Sequence, residues 1–344
     1  MKINLNKLFS IKKDNLHYVI NLFGLKCKIK DQKKAKQEFI NMKMQLKRLQ
    51  IPSIYATELN TQQKVWFLSK KFYEEVGYFP NLKNPRSFNE KINWLKLNYY
   101  NPIEDLCIDK YSMKKYIDAK LGKDYVVPAI GIYDDVNAFD FENLPNRFVM
   151  KVTTSGSGEG VEIIKEKNKI NIDKLKYKFN DLLQEWNSIY YYCLSRGYKN
   201  IQPRILIEEY ITQSNNQLYD YKFMCFNGEP KWVLACSNRG KNTIYENHDM
   251  NWDLFIPSPR SATKTVINRP KNFNKMVEIA KELAAPFPFV RVDFYETNDK
   301  VYVGELTFTP AGGFNTYSKE WDYKVGEWLD LTKIDQEYLN VVYK

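Results

Sequence analysis

Apolar residues recur at helical spacing over the first third of the chain and at every second position further on. The stretch Thr61–Val76 carries Val65, Trp66, Leu68, Phe72 and Val76 and stops at Gly77, as expected of an amphipathic helix with a left-handed cap. Ser87-Phe-Asn-Glu90 has the spacing of a capping box and predicts a helix through Leu97. Asp109 opens another that reaches Leu121 before Gly122. The period then falls towards two, and 126–133 and 147–152 read as strands. A helix is predicted over 172–189, followed by strands over 204–211, 221–226 and 231–237. Asn227-Gly228 joins the last two as a hairpin turn, because both residues accept positive φ. A helix over 274–284 precedes strands over 289–295 and 301–308, which part at Thr297-Asn-Asp-Lys300. Helices first, then helices mixed with antiparallel pairs, define an α+β class. No internal repeat and no Gly-x-Gly-x-x-Gly fingerprint of a Rossmann fold is present.

The first fifty residues differ from the rest. Strands over 17–23 and 25–30 about Gly24 suggest a short hairpin, and Phe39, Met42, Leu46 and Leu49 mark a helix over 32–50. This leader holds 13 Lys and Arg against three acids, a surplus of ten out of the whole chain's +11, so the body is near neutral. Three readings of the leader compete: a solvated arm docked on the body, peripheral contact with an anionic membrane, and nucleic-acid binding. No recognisable motif supports the last, and no nucleic acid is expected as a partner.

At 44% hydrophobic and 15% aromatic residues over 344 positions, the chain can build a packed core, which excludes disorder. No apolar run approaches the ~18 residues of a membrane span, and the start does not read as a signal peptide. Five cysteines with no Cys-x-x-Cys pair fit a reducing compartment, so a cytoplasmic location is expected, with the inner face of the membrane open to the leader. Only His17 and His248 exist, which excludes histidine-rich metal hydrolysis and leaves any His-based triad to His248 alone. Charge chemistry therefore falls to carboxylates, lysines, arginines and a bound metal.

Two places carry such chemistry. Thr153-Thr-Ser-Gly-Ser-Gly-Glu-Gly160 follows the strand Phe148-Val-Met-Lys151 and precedes Val161-Glu-Ile-Ile164. A strand-to-strand loop of this kind lets backbone N–H groups close over phosphate oxygens, although a bare hairpin turn reads equally well. It is not a Walker A loop, for no Gly-Lys-Ser/Thr ends it. Lys151, two residues before the loop, would place an ammonium beside the same phosphates; otherwise it is a surface lysine at a strand end. Near the C-terminus, Arg291 and Asp293 project from one sheet face by alternation, and Glu305 and Thr307 share one face of the partner strand. Two carboxylates and a hydroxyl form a hard-oxygen cluster suited to Mg²⁺ bridging nucleotide phosphates, with Arg291 beside them. The competing reading is an exposed cross-strand salt bridge. Asn247-His248-Asp249 through Asn251-Trp252-Asp253 reads as a substrate loop or a polar surface turn. Arg239 is placed to meet a substrate carboxylate or water, and Tyr190-Tyr-Tyr192 is read as helix packing.

From Ser87 to Gly326 the chain resembles the ATP-grasp superfamily, and within it the TupA-like group named for teichuronopeptide biosynthesis. The matching stretches occur in the family's order: Asp109-Lys110-Tyr, Phe148-Val-Met-Lys151 with the glycine loop, Ile205-Leu-Ile-Glu-Glu-Tyr-Ile211, Asp220-Tyr-Lys-Phe223, Cys225-Phe-Asn-Gly228, Asn251-Trp252, Arg291-Val-Asp293 and Gly304-Glu-Leu-Thr-Phe-Thr-Pro310. The leader segments Phe9-Ser-Ile-Lys-Lys13, His17-Tyr-Val-Ile and Gly24-Leu-Lys-Cys-Lys-Ile-Lys30 are similar to those opening capsule and lipopolysaccharide sugar-assembly proteins of Campylobacter and its relatives.

The resemblance implies an ATP-grasp fold, two α+β lobes with antiparallel sheets clamping ATP. It divides the chain into a leader over 1–75, a substrate-side part over 76–145 and the lobes over 146–344. Lys151 and Lys222 match the lysines that hold the phosphates, beneath a loop of Ser155, Gly156, Ser157, Gly158 and Gly160. Glu208, Glu209, Tyr210 and Ile211 match the adenine hinge, with Glu208 or Glu209 aimed at the amino group or ribose. Asp293 and Glu305 match magnesium ligands, with two ions expected by family precedent, and Thr307 stands where most relatives place asparagine. Lys222 and Arg291 would be the catalytic cations, and Lys110 matches a basic position of the group without an assigned role. The implied function is an ATP- and Mg²⁺-dependent carboxylate–amine ligase working through an acylphosphate. Its expected partners are a carboxylate-bearing sugar or polysaccharide precursor and an amine. The alternatives are an ATP-grasp kinase and a glycosyltransferase of the same pathway, the latter lacking an Asp-x-Asp motif; a dead scaffold is disfavoured by the complete charged set.

Overall fold

The computed structural model describes residues 9–14, 17–22, 25–29 and 59–339, apart from 157, 159, 185–187, 200, 213–217, 238–242, 258–260, 262–263, 265 and 298–299. The chain divides into two units, Met1–Leu59 and Asn60–Lys344. In the first, β1 (Phe9–Asp14), β2 (His17–Leu22) and β3 (Leu25–Ile29) form an antiparallel sheet in that order. The expected hairpin is its β2–β3 half, and the helix expected over 32–50 lies outside the described residues.

The second unit opens with α1 (Thr61–Val76), which the sequence pattern alone groups with the leader. Its Leu68 and Phe72 are fully buried, and Phe72 packs edge-on against Tyr78 and Phe314. Next come α2 (Phe88–Asn98), α3 (Pro102–Ile108) and α4 (Lys110–Leu121). Ser87 and Glu90 make both bonds of the capping box at the start of α2. Two antiparallel sheets complete the unit. One has the order β4-β7-β5-β6, from Ala129–Tyr133, Ile205–Glu209, Phe148–Val152 and Val161–Ile164. The other has the order β11-β10-β9-β8-β12-β13, from Leu254–Phe255, Ile244–Asp249, Glu229–Ser237, Asp220–Phe226, Phe289–Thr297 and Lys300–Thr307.

Alternation sorts the side chains of each sheet between two faces. One face of the six-stranded sheet, with Phe223, Val233, Val292 and Phe294, packs on α7 (Phe273–Ala284). The opposite face, with Phe226, Trp232 and Phe289, is covered by Phe88 and Ile92 of α2 and by Val325 of α8 (Lys319–Trp328). Each such side chain removed from water contributes roughly 1.5–3 kcal/mol. One side of the four-stranded sheet packs where Phe148, Met150 and Ile207 meet Leu175 and Phe179 of α5 (Ile172–Gln184). Its other side carries Lys151 and Glu208.

Several boundaries differ from expectation. The strand read over 126–133 begins at Ala129, because Pro128 has no N–H for a ladder; its carbonyl instead accepts from the Glu209 N–H. Of the helix expected over 172–189, the described residues form α5 and the start of α6 (Ser188–Cys193), which runs on to Cys193; residues 185–187 lie outside the described residues. Tyr190 in α6 is buried, as helix packing requires, whereas Tyr192 is largely exposed. The segment read as a substrate loop or surface turn is strand β10, with the turn confined to Met250 and Asn251 at its end. Glu246 and His248 there are fully buried with their polar atoms paired: His248 Nε2 lies 2.9 Å from Glu246 Oε2, the Val266 and Ile267 N–H groups donate to Glu246 Oε1 at 2.7 and 3.1 Å, Nδ1 lies 3.1 Å from the Trp252 carbonyl, and the imidazole stacks on the Trp252 ring. Among the described residues, Cys107, Cys193, Cys225 and Cys236 are buried and joined by no disulfide, and no helix is long and apolar enough to cross a membrane.

Candidate functional site

The end of the six-stranded sheet's α2-facing side where β8, β12 and β13 adjoin gathers the charged residues. Strand pairing places Asp293 opposite Lys222 on β8 and opposite Glu305 on β13. Arg291, two residues away on the same face, pairs across to Thr307. One extra residue makes this convergence work. Asp293 pairs with Glu305 but Phe294 pairs with Val303, so Gly304 is a bulge. Without it, strict alternation would set Glu305 and Thr307 on the face of Val301 and Val303, inside the core. A Cβ on Gly304 would lie 2.4 Å from the Tyr295 ring, so only glycine fits beneath that aromatic.

Asp293 is almost wholly buried and fully engaged. Arg291 donates from Nε to Oδ1 at 2.6 Å and from Nη2 to Oδ2 at 2.7 Å, and Lys222 donates to Oδ2 as well. Burial pushes the Asp293 carboxyl pKa up, but Arg291 and Lys222 outweigh it and hold it below the usual carboxylate range. Burial likewise opposes the charge of Arg291, yet Asp293 and Glu305 keep its pKa above its ordinary value. Lys222 also stands 2.7 Å from buried Asp220. Glu305 is the open member of the set: its side chain is 30% exposed, with Arg291 Nη2 at 3.2 Å and Lys110 Nζ at 4.0 Å. The Thr307 hydroxyl is buried without a hydrogen-bond partner.

The four-stranded sheet supplies the opposing charges. Glu208 on β7 stands beside β5 and accepts from Lys151 and, at 2.5 Å, from Lys114 of α4. Burial raises the Glu208 pKa, and the two lysines overcome it and bring it below the ordinary value. The carboxylate of Glu208 therefore faces lysines, while Glu209 at the strand's end is exposed. Tyr210 beyond it lies under the Arg147 guanidinium at 4.1 Å, with Ile211 partly buried next in the chain.

Helix α4 reaches both sheets. Lys110 and Lys114 are one turn apart and so point from the same side of the helix. Lys110 donates to the Ser155 carbonyl at 2.6 Å and stands near Glu305; Lys114 donates to the Val127 carbonyl at 2.5 Å and to Glu208. Burial lowers the pKa of both lysines. Asp109 caps the helix and holds Arg204 at 3.0 Å. The glycine loop closes over itself as well. Ser155 Oγ donates to the Val152 carbonyl at 2.9 Å, and a Cβ on Gly160 would lie 2.2 Å from that hydroxyl. Gly158 takes φ 79°, and Gly156 borders Ile189 with room for a Cβ at 3.4 Å. Ser157 and Arg239 lie outside the described residues.

The structure thus gathers Lys151 with Glu208, and Lys222 with Arg291, Asp293, Glu305 and Thr307, and joins the groups through Lys110. Sequence reading missed Lys114 and Asp220. Helical spacing from Lys110 marks the first, and strand alternation from Lys222 marks the second. Among the described residues no group of three His, Cys, Asp or Glu side chains is gathered as a metal centre.

Two antiparallel sheets whose facing sides carry lysines and carboxylates, with a glycine loop between strands, define an ATP-grasp protein. The chain belongs to the TupA-like ATP-grasp family, whose model matches residues 90–330, and is an enzyme of the ATP-grasp ligase type. No curated protein matches it. Solved structures similar to it include a D-alanine–D-alanine ligase from Helicobacter pylori, at 17% identity and TM-score 0.37 over 71% of this chain and 69% of that one. A D-alanyl-alanine synthetase A from Vibrio cholerae has 11% identity and TM-score 0.41 over 70% of each chain. An N5-carboxyaminoimidazole synthetase from Staphylococcus aureus complexed with ADP has 16% identity and TM-score 0.35 over 59% of this chain and 44% of that one.

Proposed function

We propose that this chain is an ATP- and Mg²⁺-dependent carboxylate–amine ligase working through an acylphosphate, with a uronic acid or related carboxylate of a surface polysaccharide as its acid substrate. The observation that carries the reading is Asp293 in register with both Lys222 and Glu305, with Arg291 bidentate on it. Lys151 and Lys222 bind the phosphates, and the backbone of 155–160 closes over them. The end of β7, from Glu209 to Ile211, takes the adenine.

The donor set fits a hard cation. Two carboxylates adjoin, and the Thr307 hydroxyl beside them is buried without a partner. Mg²⁺ is commonly held by one or two carboxylates together with substrate phosphates. Bound by Asp293, Glu305 and Thr307, it would supply neutralisation of phosphate charge.

In the reaction, a substrate carboxylate oxygen attacks the γ-phosphorus and the bond to ADP breaks, leaving an acylphosphate. The amine nitrogen attacks the acyl carbon, phosphate departs, and the nitrogen loses a proton to leave an amide. Arg291 and Lys222 stabilise the charge that develops on the transferred group. Phosphoryl transfer draws mainly on positioning and charge. That suits a chain whose His248 is locked in the core against Glu246.

The test is ADP release from ATP and Mg²⁺ with glucuronate and an amine, with mass spectrometry of the product. An amide with stoichiometric ADP is expected. A stable phosphorylated sugar formed without amine would replace the ligase with a kinase.

A further inference from the structure

A second concentration of positive charge lies apart from these residues. Lys64 of α1, Lys96 of α2, and Arg196 and Lys199 of the short turn after α6 line a cavity of about 270 Å³, with Tyr190 and Leu194 as apolar wall. None of its lining residues is acidic. A smaller cavity of about 150 Å³ shares Arg196 and Lys199 and contains Asp105, whose carboxylate accepts from the Tyr100 hydroxyl at 2.9 Å.

The cationic side chains are of two kinds. Lys96 is fixed: its ammonium donates to Asn93 Oδ1 at 3.0 Å, to the Cys193 carbonyl at 2.9 Å and to the Gly312 carbonyl. Burial lowers its pKa to about 8, while three acceptors hold the protonated form in place. Lys64 and Lys199 form no ion pair with a carboxylate among the described residues. Burial first, and then the like charges of Lys199 and Arg196, lower the Lys64 pKa. Asp105 in the neighbouring cavity offsets Arg196, whereas Lys64 and Lys199 have no carboxylate partner among the described residues; like charges so placed cost stability, and an anion between them relieves that cost.

Hydrogen bonds tie the cavity's walls to the turn that follows β13. Lys96 holds Gly312 in the turn after β13, and Ser195 and Thr309 share a hydroxyl hydrogen bond of 2.6 Å. Tyr198, between Arg196 and Lys199, has its pKa raised by burial and then by the charge of Glu305. One short turn therefore packs Tyr198 against the core cluster that includes Leu306 of β13 and gives its basic side chains to the cavity.

We infer that this cavity binds the phosphate of a sugar phosphate, which is the acid substrate's anionic handle. A single carboxylate carries one charge, whereas a phosphate ester carries about −1.5 to −2 at neutral pH and offers three acceptor oxygens. The volume is just below the ~300–1,000 Å³ of sites for drug-sized ligands, which fits one ring with its head group. The word substrate rests on the ligase reading; the binding does not.

The test is calorimetric titration of the full chain at low salt with glucose 1-phosphate and with glucuronate, each with and without Mg²⁺ and a non-hydrolysable ATP analogue. Saturable glucose 1-phosphate binding is expected, at least tenfold tighter than glucuronate and persisting with the analogue bound. A Lys64→Gln/Lys199→Gln variant should weaken it at least tenfold while leaving Tm unchanged or raised and the analogue affinity as in the wild type. The inference is overturned by absent binding, by displacement with the analogue, by equally tight glucuronate, or by indifference to the variant. A failed ligase reading would show differently, as lost analogue binding or absent turnover with glucose 1-phosphate still bound.

Discussion

Asp293 and Glu305 face each other across two strands only because Gly304 interrupts the ladder between them. The acid pair is thus a product of one backbone irregularity. Gly304→Ala would drive a methyl into the Tyr295 ring, which stands 2.4 Å from the Cβ position. Overpacking of this kind costs about 1–3 kcal/mol. We expect a lower Tm together with loss of ADP formation, measured by thermal melting and a coupled assay. Wild-type turnover in that variant would mean that the bulge does not set the acid geometry.

Asp293→Asn and Glu305→Gln should each lower turnover by at least ~10²-fold, as for other lost transition-state charge contacts. Far-UV circular dichroism checks that the fold persists, and ADP release reads the effect. Near-wild-type turnover in both would remove the metal assignment.

Thr307→Val separates function from folding. The hydroxyl has no partner among the described residues, so its loss should leave Tm unchanged or slightly raised. Turnover and Mg²⁺ affinity should both fall, by about tenfold on the scale of one lost ligand, read by titrating Mg²⁺ against rate.

Lys114→Met leaves Glu208 with Lys151 alone. Breaking a buried charge pair costs about 3–5 kcal/mol, and urea unfolding at neutral pH should register it. The pH dependence has a defined sign. Glu208 and Asp293 bind protons less readily folded than unfolded, so their stabilisation is fully present above the unfolded value of about 4. It drains as pH falls below that value through the folded one. In Glu208→Gln the acid-side slope of unfolding free energy should be shallower; an unchanged slope would show that Glu208 does not contribute.

Much of this was legible from the sequence, because periodicity reports burial wherever a face is uniformly apolar. Arg291 and Asp293 follow simple alternation, and Asn227-Gly228 turns as expected, with φ of 46° and 85°. The Gly304 bulge was not legible, because nothing local in the sequence shows that the Tyr295 ring of the neighbouring strand lies over that glycine. Strand β10 was hidden for a related reason: Glu246 and His248 are polar in composition but core in position, with their polar atoms paired there. Lys114 looked like any helical lysine until Glu208 was brought beside it by the fold. Helix α8 escaped notice too; Gly326 there lets the helix approach α2 so closely that a Cβ would lie 2.0 Å from the Arg86 carbonyl oxygen.

The two lysines of α4 turn a helix into a measuring rod. Four residues of helix advance about 6 Å, and that fixed step joins Glu208 on one sheet to Glu305 on the other. Neither sheet can draw away from its neighbour without either releasing one end of the rod or carrying it along. Any movement of one sheet against the other therefore has to choose a side.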